Sequence, residues 1–168
     1  MTDELSRLSE ESVDVALRIG QLADSTLIAR SLRKTKLVTL AAPSYLSRAG
    51  LPRKKEELAQ HDCLVLVWPN GKPRPWLFRS GPFPVPSVML VDHGPTMLEG
   101  IRAGLGVGQA FDFMVDGAVR DRGLVRLLES DTADGPDISA VCAPGRKATP
   151  RVRAAFDAFA LAFAAIGT

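Results

Sequence analysis

Short extended runs alternate with short helical runs along almost the whole chain, and that rhythm restricts the fold more than any single motif. At 13–20, VDVALRIG, the residues Val13, Val15, Leu17 and Ile19 alternate with Asp14, Ala16 and Arg18 before Gly20 breaks the run. This is the period-two pattern of a strand with one buried face. Further strands are predicted at 26–32, 37–42, 88–91, 107–111, 124–128 and 138–143. The run CLVLVW at 63–68 predicts a strand buried on both faces. Helices are predicted at 2–12, 44–48, 54–59, 94–103 and 113–122, and from Pro150 onward. Pro43 and Pro150 open their helices where the missing amide is harmless. Thr149 is the expected cap of the last helix, and Val152, Phe156, Phe159 and Phe163 form its core stripe. The proline- and glycine-rich stretch 69–86 predicts an exposed hairpin or loop with one strand at 76–79, and 131–136 a polar turn. Together these predict an α/β fold with mainly parallel sheets.

The chain has 168 residues, 46% hydrophobic and 24% charged. That suits one domain or two small lobes and excludes disordered, collagen-like and coiled-coil chains. No apolar run approaches the ~20 residues of a membrane helix. The opening MTDELSRLSEE lacks the cationic-then-apolar order of a secretory signal, so a cytoplasmic protein is expected. Two cysteines, Cys63 and Cys142, write no disulfide framework. A formal charge of +2 is far from the excess of a dedicated nucleic-acid binder. The clusters Arg30/Arg33/Lys34/Lys36, Arg53/Lys54/Lys55 and Arg146/Lys147/Arg151/Arg153 read as solvated faces, with a weak phosphate-facing stripe as the alternative.

The residue types that carry chemistry do not assemble into a catalytic set. Gly104, Gly106 and Gly108 follow a helix and precede a strand, the reverse of a dinucleotide-binding loop, so they read as a tight, closely packed turn. His61 and His93 have no metal-ligand spacing, and no metal or cofactor is expected. Cys63, beside His61, opens an apolar strand, where a thiol is inert. Asp112 and Asp116, one turn apart, read as a solvated helix face. What remains is a pair of helix openings, at Pro43 and at Pro95. Each follows a strand and leaves free amides for an anion, Thr96 and Met97 among them. The residues favour binding over catalysis.

VDVALRIG at 13–20, DSTLIARSL at 24–32, LAAPSYLSRAGLP at 40–52 and ELAQHDCL at 57–64 resemble the effector-binding domain of LysR-type transcriptional regulators. MLEGIRAGLGVG at 97–108, DGAVRDRGLVRLL at 116–128 and PRVRAAFDAFA at 150–160 extend the resemblance over nearly the whole chain. It implies a type 2 periplasmic-binding-protein-like fold: two α/β lobes joined by two crossover strands, with a ligand cleft between them. Lobe one would hold about 1–36 and 139–168, and lobe two about 37–138. The winged helix-turn-helix, the linker helix and the first elements of lobe one have no counterpart here. The expectation is therefore an N-terminally truncated regulator with lobe one incomplete and no direct DNA contact. The implied function is sensing of a small organic anion, such as an aromatic acid, in a homo-oligomer away from any membrane. The expected effector residues are Ile19, Gly20 and Gln21 from lobe one. Lobe two would add Ala42, Pro43, His93, Gly94, Pro95, Thr96, Gln109 and Phe111. A solute-binding protein of the same fold is the alternative, and a small transferase or hydrolase a more distant one.

Overall fold

A computed structural model describes residues 13–20, 26–67, 70–121, 123–146 and 149–165. The helix expected at 2–12 and the expected effector residue Gln21 lie outside the described residues. In chain order the strands are β1 (Ala16–Ile19), β2 (Ile28–Arg33), β3 (Lys36–Ala41), β4 (Cys63–Leu66), β5 (Trp76–Phe78), β6 (Gly81–Phe83), β7 (Ser87–Val91), β8 (Val107–Phe111), β9 (Val125–Leu127), β10 (Ala133–Asp134) and β11 (Ile138–Cys142). The helices are α1 (Pro43–Ala49), α2 (Gly94–Arg102), α3 (Asp112–Arg120) and α4 (Pro150–Ala165), with a 3-10 helix at Lys55–Gln60. The chain divides into two compact units, residues 1–35 with 135–168, and residues 36–134.

In the first unit β11 lies between β1 and β2, antiparallel to both. Helix α4 packs Val152 and Phe156 on Ala140 and Cys142, with Val15, Ile28, Leu32 and Phe159 around them. Burying side chains of this size stabilises by roughly 2 kcal/mol each. Ion pairs tie the helix region to the sheet: Arg30 to Asp157 at 2.8 Å, and Arg146 and Arg151 to Asp14 at 2.7 and 3.0 Å. The basic clusters are thus partly paired rather than merely solvated. Thr149 does not cap through its side chain. Its hydroxyl donates to the Arg146 carbonyl at 2.7 Å, and its own carbonyl accepts the amides of Val152 and Arg153.

The second unit is built on one sheet in the order β10-β3-β8-β4-β7, with β9 also paired to β3. Only β4 runs parallel to its neighbours, β7 and β8; β3 is antiparallel to β8, β9 and β10. The expectation of mainly parallel sheets is therefore wrong. Helix–strand alternation fixes which segments are strands, but strand direction depends on pairings between segments far apart in sequence. Both faces of the sheet are covered. On one, Met97, Leu98 and Ile101 of α2 and Val115 of α3 pack on Val38, Leu40, Leu64 and Val91. On the other, Tyr45, Leu58, Trp76 and Phe78 pack on Ala41, Val65 and Val107.

Two loop expectations are corrected on that second face. The hairpin of β5 and β6 is not exposed: Trp76 and Phe78 are each 3% accessible, because alternate residues of β5 turn into the core. The polar turn at 131–136 contains β10, which pairs Ala133 with Leu37. The glycine turn is structural. Gly104 has φ +76°, and a Cβ on Gly106 would strike the Asp62 carbonyl while the Val107 amide bonds that same oxygen at 2.8 Å. At the far edge β7 exposes Val88, Met89 and Leu90.

Candidate functional site

Because β7, β4 and β8 run parallel, their carboxyl ends share one edge of the second unit. Leu66 lies beside Val91, and Leu64 beside Gly108, so Val67, Asp92 and Phe111 emerge together. Ligands of open α/β sheets bind at such an edge. Helix α2 starts there. Its N-cap is His93, whose carbonyl accepts the Met97 amide at 3.1 Å. Met97 is thus already bonded, contrary to expectation. The amides left without a helical acceptor are those of Gly94 and Thr96, since Pro95 has none. Thr96 is exposed and its Oγ1 lies 2.9 Å from Nδ1 of His93. Phe111 stacks on Phe113, with centroids 5.7 Å apart and planes 10° apart. One strand separates His93 from Phe111, a spacing of about 10 Å.

The other expected residues are placed differently. Ala42 and Pro43 lie at the opposite end of the sheet, since Ala41 pairs with Val107 while Leu37 pairs with Phe111. Antiparallel β3 carries its carboxyl end away from the edge that the parallel strands form. Gln109 is engaged by the main chain: its Oε1 accepts the Leu77 amide and its Nε2 donates to the Leu77 carbonyl, both at 2.9 Å. Ile19 and Gly20 end β1 in the first unit, where the Gly20 amide donates to the Asp137 carbonyl at 3.1 Å. Sequence reasoning passed over Arg74. Its amide donates to the Leu66 carbonyl at 2.8 Å, which anchors the Pro-rich loop at the carboxyl end of β4. Burial lowers the pKa of its guanidinium from the ordinary value. A lone arginine amid prolines and a tryptophan, KPRPW at 72–76, was the available signal.

The remaining reactive groups are occupied structurally. Cys63 and Cys142 are buried free thiols, and burial pushes the Cys63 thiol up to about 12. His61 lies buried with Nδ1 3.2 Å from the Tyr45 hydroxyl, which also accepts the Asp62 amide at 2.8 Å. Asp112 and Asp116 are not a solvated face. Asp112 accepts the Lys36 amide at 3.0 Å, and Asp116 pairs with Arg126 at 2.6 Å. Among the described residues, no three His, Cys, Asp or Glu side chains could jointly hold a metal ion. No helix among them is long and apolar enough to cross a membrane.

The family described as LysR substrate binding domain matches residues 1–164. The HTH-type transcriptional regulator CrgA of Neisseria meningitidis serogroup C (strain 8013) is 34% identical over 130 residues, 76% of this chain and 43% of that protein. An HTH-type transcriptional regulator of Xanthomonas campestris pv. campestris (strain 8004) is 34% identical over 152 residues, 86% of this chain and 44% of that protein. The chain therefore spans less than half the length of these relatives. The solved CrgA regulatory domain from Neisseria meningitidis superposes with a TM-score of 0.84 at 30% identity, covering 96% of this chain and 81% of that one. The AmpR effector domain of Pseudomonas aeruginosa, at 21% identity, shares the fold with a TM-score of 0.75, covering 98% of this chain and 77% of that one. With residues 1–164 matched and the architecture reproduced, the chain belongs to the LysR substrate-binding-domain family.

Proposed function

We propose that this chain is the effector-sensing part of a LysR-type transcriptional regulator, and that it takes a small organic anion at the carboxyl edge of β8, β4 and β7. The match of residues 1–164 to the family carries the reading. The edge offers what a carboxylate needs. The Gly94 and Thr96 amides stand at the positive end of α2, with the Thr96 hydroxyl and His93 imidazole beside them. The Phe111–Phe113 stack offers an apolar surface for an aromatic body. Ala42, Pro43 and Gln109 have no part in this proposed set. An effector acts by binding one conformation of its regulator better than another, so its differential affinity sets the response. Relatives named as HTH-type transcriptional regulators favour this reading over a solute-binding protein of the same fold. The exposed apolar edge of β7 supports assembly as a homo-oligomer.

Titration of the chain with a panel of carboxylates, benzoate included, tests the proposal by calorimetry and amide NMR. Affinity on the order of micromolar to millimolar is expected, with shifts centred on residues 93–97. Ile19→Ala in the same titration asks whether the first unit contributes. A panel in which no acid perturbs residues 93–97 overturns the reading.

A further inference from the structure

A cavity of about 350 Å³ opens in the second unit, beside the 3-10 turn Glu129–Asp131 and the edge strand β10. Lys36, Phe78, Arg79, Glu129, Thr132 and Asp134 line it, and all lie within the one compact unit. Main-chain contacts frame it. The Arg79 amide donates to the Asp131 carbonyl at 2.9 Å, and the Thr132 amide to the Glu129 carbonyl at 3.2 Å. Phe78 bridges to Thr132, and Asp134 stands opposite Lys36 in the β3–β10 ladder. Lys55 lies over the Phe78 ring and pairs with Asp131 at 3.9 Å, so the charge of Asp131 is already spent. The remaining charges are not. Lys36, Arg79, Glu129 and Asp134 are exposed, and among the described residues none of their side chains makes an ion pair or a hydrogen bond.

We infer that this cavity is a site for a zwitterion, a free α-amino acid with a small or apolar side chain. It presents two cations and two carboxylates that have no partners of their own. A ligand of one sign therefore meets attraction and repulsion together, whereas a molecule that carries an ammonium and a carboxylate on one carbon answers both. Lys36 and Arg79 take the carboxylate through charge-assisted hydrogen bonds, and Glu129 and Asp134 take the ammonium. Phe78 and Ala133 supply the apolar part of the lining. The volume is at the lower end of small-molecule sites, which suits an amino acid better than a longer peptide. The place also matters. Lys36 and Asp134 are the first and last residues of the second unit. Next to them the Thr35 carbonyl accepts the Gly135 amide at 2.8 Å, and the Thr35 hydroxyl donates to the Pro136 carbonyl at 2.7 Å. The two connections of the chain are thus fastened to each other, and a ligand that holds Lys36 and Asp134 together adds to that fastening.

The test titrates the labelled full chain with glycine, L-alanine and L-leucine and follows backbone amides by NMR. Saturable shifts are expected at Lys36, Arg79, Thr132 and Asp134. The N-acetyl derivative of the amino acid that binds lacks the ammonium, and its amide derivative lacks the carboxylate. Each is expected to bind about fivefold more weakly, the scale of one exposed ion pair. Lys36→Gln and Glu129→Gln are expected to weaken the amino acid by roughly three- to fivefold each. Neither should move the melting temperature, since neither side chain has a partner to lose. Hydrogen exchange of the Gly135 amide is expected to slow with ligand present. Absence of shifts with all three amino acids overturns the site. A derivative that binds as tightly as its amino acid overturns the ligand class, and parent affinity in either glutamine variant overturns the assigned contacts. Unchanged exchange at Gly135 overturns the link to the connections. Failure of the edge at residues 93–97 leaves these outcomes unaffected, because the amides followed are different ones.

Discussion

Gln109 holds Leu77 as a neighbouring strand would, accepting its amide and donating to its carbonyl at 2.9 Å each. The buried side-chain amide thereby fastens the β5–β6 hairpin to β8 and closes the core over Trp76 and Phe78. Gln109→Ala removes both bonds and strands two main-chain groups, a loss of about 2–3 kcal/mol. Urea unfolding should show it, and hydrogen exchange at the Leu77 amide should accelerate. Unchanged stability together with lost ligand binding would return Gln109 to an effector role.

The glycines divide sharply by what surrounds them. Gly106→Ala would drive a methyl into the Asp62 carbonyl and Leu64, at the join of α2, β4 and β8. A loss of about 3 kcal/mol or more is expected, since backbone must move. Gly117, inside α3, has nothing within 4 Å of an added Cβ. Gly117→Ala should gain up to about 1 kcal/mol from helix propensity. Paired thermal melts would check both signs.

Carboxylate binding at α2 should respond to charge without loss of fold. Thr96→Glu places an anion in the first turn, where the helix dipole favours it, so stability should hold or rise slightly. The same charge repels a bound carboxylate and should lower its affinity by at least tenfold. Calorimetry and a thermal melt on one sample would separate the two effects. A variant that binds the acid as tightly as the parent would remove Thr96 from the site.

Alkaline pH should destabilise the second unit through Cys63. Its thiol is held at about 12 by burial, against 9.0 for an ordinary one. Between those values the unfolded chain loses a proton that the folded chain keeps, so stability falls as pH rises from about 9 toward 12. Tyr45, raised above its ordinary 10.0 chiefly by burial, adds to the same trend. Cys63→Ala should flatten part of the slope in denaturation curves recorded from pH 8 to 11. Both buried thiols should resist iodoacetamide until the chain unfolds.

The sequence alone determined the elements whose signals are local. Alternation placed β1, proline and glycine bracketed α1, and the spacing of Val152 and Phe156 showed which face of α4 is buried. The ordered segments from VDVALRIG to PRVRAAFDAFA were enough to recognise the family. Only the tertiary structure decided what depends on partners far along the chain. Strand direction is one such property: β3 looks like any other apolar strand, yet its antiparallel pairing with β8 carries Ala42 and Pro43 away from Phe111. The role of Gln109 is another, since a buried amide serves a ligand or a main chain according to what faces it, and Leu77 lies 32 residues away. The Asp116–Arg126 pair follows the same logic. Local propensity is written within a few residues, whereas a site is made where distant residues meet, and a single sequence does not record those meetings.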